Sequence, residues 1–243
     1  MYDLKVCDSY VVVDLETTGL SPDKDKILEI GAVKVVQGAV VDTFCTFVNP
    51  GMEVPFHIQN LTGITTEMVQ DAPSAEDAFG AFLTFSEGMD LMGHNLKFDY
   101  GFLKYQAERQ KIPFEKNGID TLKIARILLL ELEKKNLSVL CDYFHVDNAR
   151  AHRAYHDAQA THEVYTHLCQ RVTKDNQNLF WPVSMQVRVK KQSPITNAQK
   201  GYLNDLLKYH KITMNVPVDS LSKSEASRKI DQIISQYGRI VRR

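Results

Sequence analysis

The stretch Tyr10-Val11-Val12-Val13-Asp14-Leu15-Glu16-Thr17-Thr18-Gly19 decides the reading of this 243-residue chain. An apolar run that meets a carboxylate and then a Thr-Thr-Gly turn signal is the pattern of a central, buried strand entering a loop. Asp14 then stands at a strand end, and Glu16, two residues on, projects from the same side of an extended chain. Two carboxylates placed this way can share a cation.

Outward from that strand, Ile27 to Val36 and Val40 to Val48 are rich in β-branched residues and separated by Gln37-Gly38-Ala39, which predicts two hairpin-connected strands. The first three strands are therefore expected to be antiparallel. After a loop punctuated by Pro and Gly, Ser74-Ala75-Glu76-Asp77 opens a helical pattern that runs to Phe85, and Asp90 to His94 reads as a short fourth strand. A helix over Phe98 to Arg109, a fifth strand at Ile119-Asp120-Thr121, and helices near 122–132, 138–144 and 153–171 complete the pattern. Strands first, then strands alternating with helices, imply an α/β architecture: a mixed five-stranded sheet flanked by helices over residues 1–174.

Residues 175–193 open on a polar break, Lys174-Asp175-Asn176-Gln177-Asn178, after which Val183, Met185, Val187 and Val189 alternate with polar residues. This segment is either an extended linker or a strand docking on the first domain. Over 194–243, Thr196-Asn197-Ala198-Gln199 and Ser222-Lys223-Ser224-Glu225 fit the capping-box pattern and start two amphipathic helices, a small basic helical module.

The net charge of −1 hides an asymmetry. From Val183 to Arg243 there are twelve Lys and Arg against four Asp and Glu, a net of +8, which leaves −9 for residues 1–182. An acidic domain is an odd host for a polyanion unless bound cations reverse its sign locally. No apolar run is long enough to span a membrane, the N-terminus lacks the form of an export signal, and the four cysteines show no C-x-x-C spacing. A cytoplasmic, reducing setting is expected, with no membrane partner.

Metal-assisted phosphodiester hydrolysis needs several carboxylates converging on two cations about 3.5–4 Å apart. Three clusters can supply them: Asp14 with Glu16, Asp99 at a helix start, and Asp157 on the last long helix of the core, with His152 on the segment entering it. Hard oxygen ligands favour Mg2+ or Mn2+ over zinc.

Three ordered segments, D-L-E-T-T-G-L at Asp14 to Leu20, H-N-L-K-F-D-Y-G-F-L at His94 to Leu103 and H-R-A-Y-H-D-A at His152 to Ala158, resemble the motifs of the DEDDh (DnaQ-like) 3′-5′ exonucleases, the family of bacterial polymerase proofreaders. The resemblance covers about residues 10–170. It implies a ribonuclease H-like fold, two divalent cations on Asp14, Glu16, Asp99 and Asp157, and His152 as general base; an imidazole titrates near neutrality and so can take a proton from the attacking water. By the same match Thr17, Thr18 and Gly19 meet the terminal nucleotide, and Leu61 and Thr62 pack against its sugar and base, with Asn95 and Phe98 nearby.

The implied activity is release of nucleoside 5′-monophosphates from single-stranded or frayed DNA 3′ ends, in proofreading, replication or repair. RNA-trimming members share the motifs, so RNA is the alternative substrate, and a non-catalytic tethering module is the rival from another class. His156 competes with His152 for the base role; on a helix it points about 100° away from Asp157. The basic C-terminal residues Arg188, Lys190, Lys191, Arg239, Arg242 and Arg243 are read either as phosphate contacts or as a solvated face, the alternative use of the module being a dock for replication or repair proteins.

Overall fold

A computed structural model describes residues 5–149, 151–189, 193–214 and 216–241. The chain divides into two compact units, Met1–Val189 and Lys190–Arg243.

In the first unit, strands β1 (Tyr10–Thr17), β2 (Ile27–Val36), β3 (Ala39–Phe47), β4 (Leu91–Gly93), β5 (Asn117–Asp120) and β6 (Val183–Ser184) form one sheet in the order β3-β2-β1-β4-β5-β6. β1, β2 and β3 pair antiparallel, β4 lies parallel to β1 and to β5, and β6 runs antiparallel to β5. The β2–β3 turn has Gln37 and Gly38 both at positive φ, 50° and 76°, the backbone sign that matches the twist of a two-residue hairpin.

Helices α1 (Phe56–Thr62), α2 (Thr66–Val69), α3 (Ala75–Phe85), α4 (Lys97–Gln110), α5 (Thr121–Leu128), α6 (Leu137–Phe144) and α7 (Ala154–Cys169) complete the unit. The two-residue period of β1 sorts its side chains onto two cores. Val11, Val13 and Leu15 face one core with Phe79 and Phe82 of α3 and Tyr100 and Leu103 of α4. Tyr10 and Val12 face the other, with Ile124 of α5, Leu140 of α6 and Val164 and Leu168 of α7. A sheet buried on both sides requires the unbroken apolar run that opens β1.

The expected sheet of five strands is corrected to six. β6 has two residues, too short to carry a signal of its own. The strand is fixed by pairing Asn117 with Ser184 and Gly118 with Val183, extended by the Met185 amide donating to the Lys116 carbonyl at 3.0 Å. Of the alternating residues, Met185 is buried and Val187 packs against the α3–α4 core while Val183 is exposed, and the first unit extends as far as Val189. Phe180, in a short 3-10 turn at Gln177–Phe180, is buried in the opposite core. The segment is therefore not a free linker from 175 to 189, and Lys190, Lys191 and Gln192 lie outside the described residues.

The supposed loop between β3 and α3 holds α1 and α2, helices of seven and four residues whose length hides any period. They bury Ile58 and Val69 with Leu28, Val54 and Ile64 in a small separate cluster.

The second unit contains helices α8 (Asn197–His210) and α9 (Lys223–Tyr237), each opened by a capping box, at Thr196 with Gln199 and at Ser222 with Glu225. Leu203 and Leu206 pack against Ile230 and Ile233. Among the described residues no helix is long and apolar enough to cross a membrane.

Candidate active site

β1 ends where its neighbours run in opposite senses, β2 antiparallel and β4 parallel. At this end the chain gathers its acids. Asp14 and Glu16 share the face of β1 that α7 covers, by the same alternation that turns Tyr10 and Val12 towards that helix. Asp157 sits in the first turn of α7 and is buried.

Asp99 arrives from the opposite layer. It lies in the first turn of α4, is 4% exposed, and its Oδ1 accepts from the Leu15 amide at 3.0 Å, midway between Asp14 and Glu16. Acids from both faces of the sheet thus come to one strand end, but Asp14 and Asp99 stand outside the group of ligand atoms that Glu16, Asp157 and His152 form there.

His152 precedes α7 and is exposed, with φ at +66°. That left-handed conformation costs a non-glycine residue roughly 1–2 kcal/mol. It is held by the His152 amide, which donates to Asp157 Oδ2 at 2.9 Å. Ligand atoms of Glu16, His152 and Asp157 all lie within 4.8 Å of one another. His156, the competing imidazole, lies within α7 with its ring against Tyr155 and is not in that group.

Gathering acids in a dry place raises their proton affinity. Burial, then the charges of Asp99, Asp157 and Glu16, holds the Asp14 carboxyl well above the usual carboxylate range. Burial also raises Asp99 strongly, against the lowering effect of amide hydrogen bonds. Glu16 is pushed up to about 8 by burial and then by Asp157 and Glu29. Burial raises Asp157, with the His152 amide opposing. Mutual repulsion of this kind is relieved by a bound cation. Two buried carboxylates, Glu16 and Asp157, beside the exposed His152 imidazole make a donor set that fits a divalent metal ion.

The other expected substrate residues are distributed unevenly. Thr17 is buried and its hydroxyl donates to the Gly19 carbonyl at 2.7 Å. Thr18 is also buried, its Oγ1 accepting from the Lys26 amide at 2.9 Å. Both hydroxyls therefore shape the turn, and the Thr18 amide is spent there too, on the Lys26 carbonyl at 2.8 Å. At Gly19 a Cβ would come 2.5 Å from the Asp25 carboxylate, which itself accepts from the Ser21 amide.

Leu61 is exposed, whereas Thr62 is buried and spends its hydroxyl on the Ile58 carbonyl and the Ile64 amide at the end of α1. Asn95 is exposed at φ +68°, its amide donating to Asp120, and Phe98 is half-buried with its ring 5.2 Å from Phe102.

Two residues without a role in the motif reading stand out. Glu29 on β2 is only 1% exposed yet pairs with Arg153 at 2.8 Å. The signal that could have found it is a charged residue inside the apolar strand I-L-E-I-G-A-V, where carboxylates are seldom buried without a partner. His94 is held at both ring nitrogens, by Thr121 Oγ1 at 2.9 Å and the Lys135 carbonyl at 2.8 Å.

The sequence profile of the family described as Exonuclease matches residues 11–165. The chain belongs to this exonuclease family. As an exonuclease-family member it is similar to PolC-type DNA polymerase III of Caldanaerobacter subterraneus subsp. tengcongensis, 42% identical over 163 residues, covering 67% of this chain and 12% of that one. The PolC-type enzyme of Clostridium perfringens is 40% identical over 157 residues, covering 65% and 11%. The chain thus spans about an eighth or less of the length of these curated relatives.

Among solved structures, the exonuclease domain resembles Exonuclease X in complex with 5′-overhanging duplex DNA, with a TM-score of 0.56 at 22% identity over 71% of this chain and 99% of that one. An E. coli Exonuclease I complex with single-stranded DNA gives 0.59 at 17% identity over 70% and 42%. These likenesses establish the ribonuclease H-like fold.

Proposed function

We propose that this protein is a metal-dependent 3′-5′ exonuclease that hydrolyses the terminal phosphodiester of single-stranded or frayed DNA and releases nucleoside 5′-monophosphates. The observation that carries the reading is the convergence of Glu16, His152 and Asp157 within 4.8 Å at the end of β1, with Asp14 and Asp99 alongside.

In this reading Asp14, Glu16, Asp99 and Asp157 hold two divalent cations, Mg2+ or Mn2+. When bound, such ions stabilise charge on the phosphate and on the leaving 3′ oxygen. His152 takes the proton of the attacking water; its exposure lets it reach that water, and its amide bond to Asp157 holds it beside the acids. The exposed Leu61 and Asn95 and the half-buried Phe98 offer the terminal nucleotide an apolar and amide-bearing surface. DNA is the substrate class because the relatives near 40% identity are DNA polymerases III.

The test is digestion of matched DNA and RNA oligonucleotides labelled at the 5′ end, with Mg2+, with Mn2+ and with EDTA. Stepwise shortening of DNA that stops in EDTA and returns with either metal is the expected result. A strong RNA preference would overturn the DNA assignment, and no shortening of either strand would favour the tethering role.

A further inference from the structure

The two acids of β1 have informative partners across the ladder. Asp14 is paired with Gly31 and Glu16 with Glu29, all four on the side of the sheet that α7 covers. Both partners on β2 receive the start of α7. A Cβ on Gly31 would sit 2.1 Å from the Ala154 carbonyl carbon and from the Tyr155 nitrogen, so the helix backbone rests directly on this glycine.

Glu29 supplies the rest of the seat. Its Oε2 accepts from the Ala154 amide at 3.1 Å and from Arg153 Nε at 3.2 Å, while Oε1 accepts from Arg153 Nη2 at 2.8 Å and from the Cys45 thiol at 3.5 Å. The first amides of a helix lack intrahelical partners, and Arg153, the N-cap residue of α7, offers no side-chain cap of its own. A carboxylate from another strand fills that gap and suits the positive end of the helix.

From this geometry we propose that Glu29, acting with Arg153 on the seat made by Gly31, is a positioning residue for the exonuclease reaction: it sets the height and rotation of the His152–Asp157 turn against Asp14 and Glu16. The proposal rests on the exonuclease reading above. His152 lies one residue before Arg153, in a left-handed conformation, and its amide bond to Asp157 closes the turn from the other side. Between those two anchors the turn has little freedom. Outer partners of metal-site residues typically contribute about 10- to 100-fold to activity.

The experiment compares Glu29→Gln with the wild type at a temperature where both are folded. Gln keeps the shape and one acceptor but loses the ion pair. Expected are a kcat about 10- to 100-fold lower with KM within about twofold, and a smaller fold-loss when the same change is made in a His152→Ala background. In the metal-free protein, Glu29→Gln should shift the ring resonances of His152 in NMR while leaving those of His94, which is anchored at Thr121 and Lys135, in place. Should Glu29→Gln fail to fold, Arg153→Ala serves, with Arg153→Lys expected to restore part of the rate.

An equal fold-loss in both backgrounds, with unmoved His152 resonances, would reduce Glu29 to a stabilising ion pair. Undiminished kcat would overturn the proposal outright. Wild-type protein that degrades no oligonucleotide with Mn2+ would instead sink the exonuclease reading itself.

Discussion

His152 is the exposed member of a cluster whose acids are buried or half-buried, and the two kinds of residue answer differently to substitution. His152→Ala is expected to lower kcat by about two to four orders of magnitude, the range for losing a general base, with melting temperature nearly unchanged. Asp14→Asn should abolish most activity and yet raise the melting temperature of the metal-free protein near neutral pH, because burial and then the neighbouring acids hold the Asp14 carboxyl well above its usual range, a cost that an uncharged amide does not carry. Scanning calorimetry in EDTA checks this; a lower melting temperature would show that the buried carboxyl carries no such cost.

The same acids set a pH dependence. Glu16 is pushed up to about 8 from its ordinary 4.5, so the folded chain holds this proton more tightly than the unfolded one. Its contribution to stability is present in full below about 4.5 and is lost as the pH rises towards 8. In EDTA the melting temperature should fall across that window, and Mg2+ or Mn2+ should recover more of it at the alkaline end than at the acid end. Parallel melting curves with and without metal would count against a cation on these carboxylates. The residue types and their spacing were readable in the chain. Glu29 was visible only as a charge inside an apolar strand, since a buried acid declares its role through its partner, here 124 residues away.

At the scale of elements, the long strands were legible because the signal repeats. Ten residues of β2 and the Gln37-Gly38 turn leave little choice of register, whereas β6, α1 and α2 are too short to show a period. The hairpin also lies at the end of the sheet away from the acids, since Val35 pairs with Tyr10 while Glu29 pairs with Glu16. Gly38→Ala, which forces a side chain to φ +76°, should therefore cost roughly 1–2 kcal/mol of stability and leave kcat unchanged. Urea denaturation with a parallel rate assay tests it, and a large drop in kcat at full folding would mean that strain crosses the sheet.

For the whole molecule, the charge asymmetry is the property with functional reach: −9 over residues 1–182 and +8 over the remainder. If Arg188, exposed on the first unit, holds a phosphate of the strand, substituting it by Gln should raise KM, leave kcat alone and flatten the dependence of KM on salt by ~0.7. Unchanged KM at all salt concentrations would make Arg188 a solvated residue. Lys190, Lys191, Arg242 and Arg243 lie outside the described residues.

The chain by itself determined the α/β alternation, the strand that ends in Asp14 and Glu16, and the three motif segments, because periodicity and short spacing are local properties. Only the tertiary structure decided that Asp99 reaches the Leu15 amide from one layer, that Asp157 comes beside Glu16 and His152 from the other, and that Glu29 and Gly31 seat α7 there. Those facts depend on strand order and cross-strand register, which join residues 84 to 125 positions apart and leave no trace in any local window.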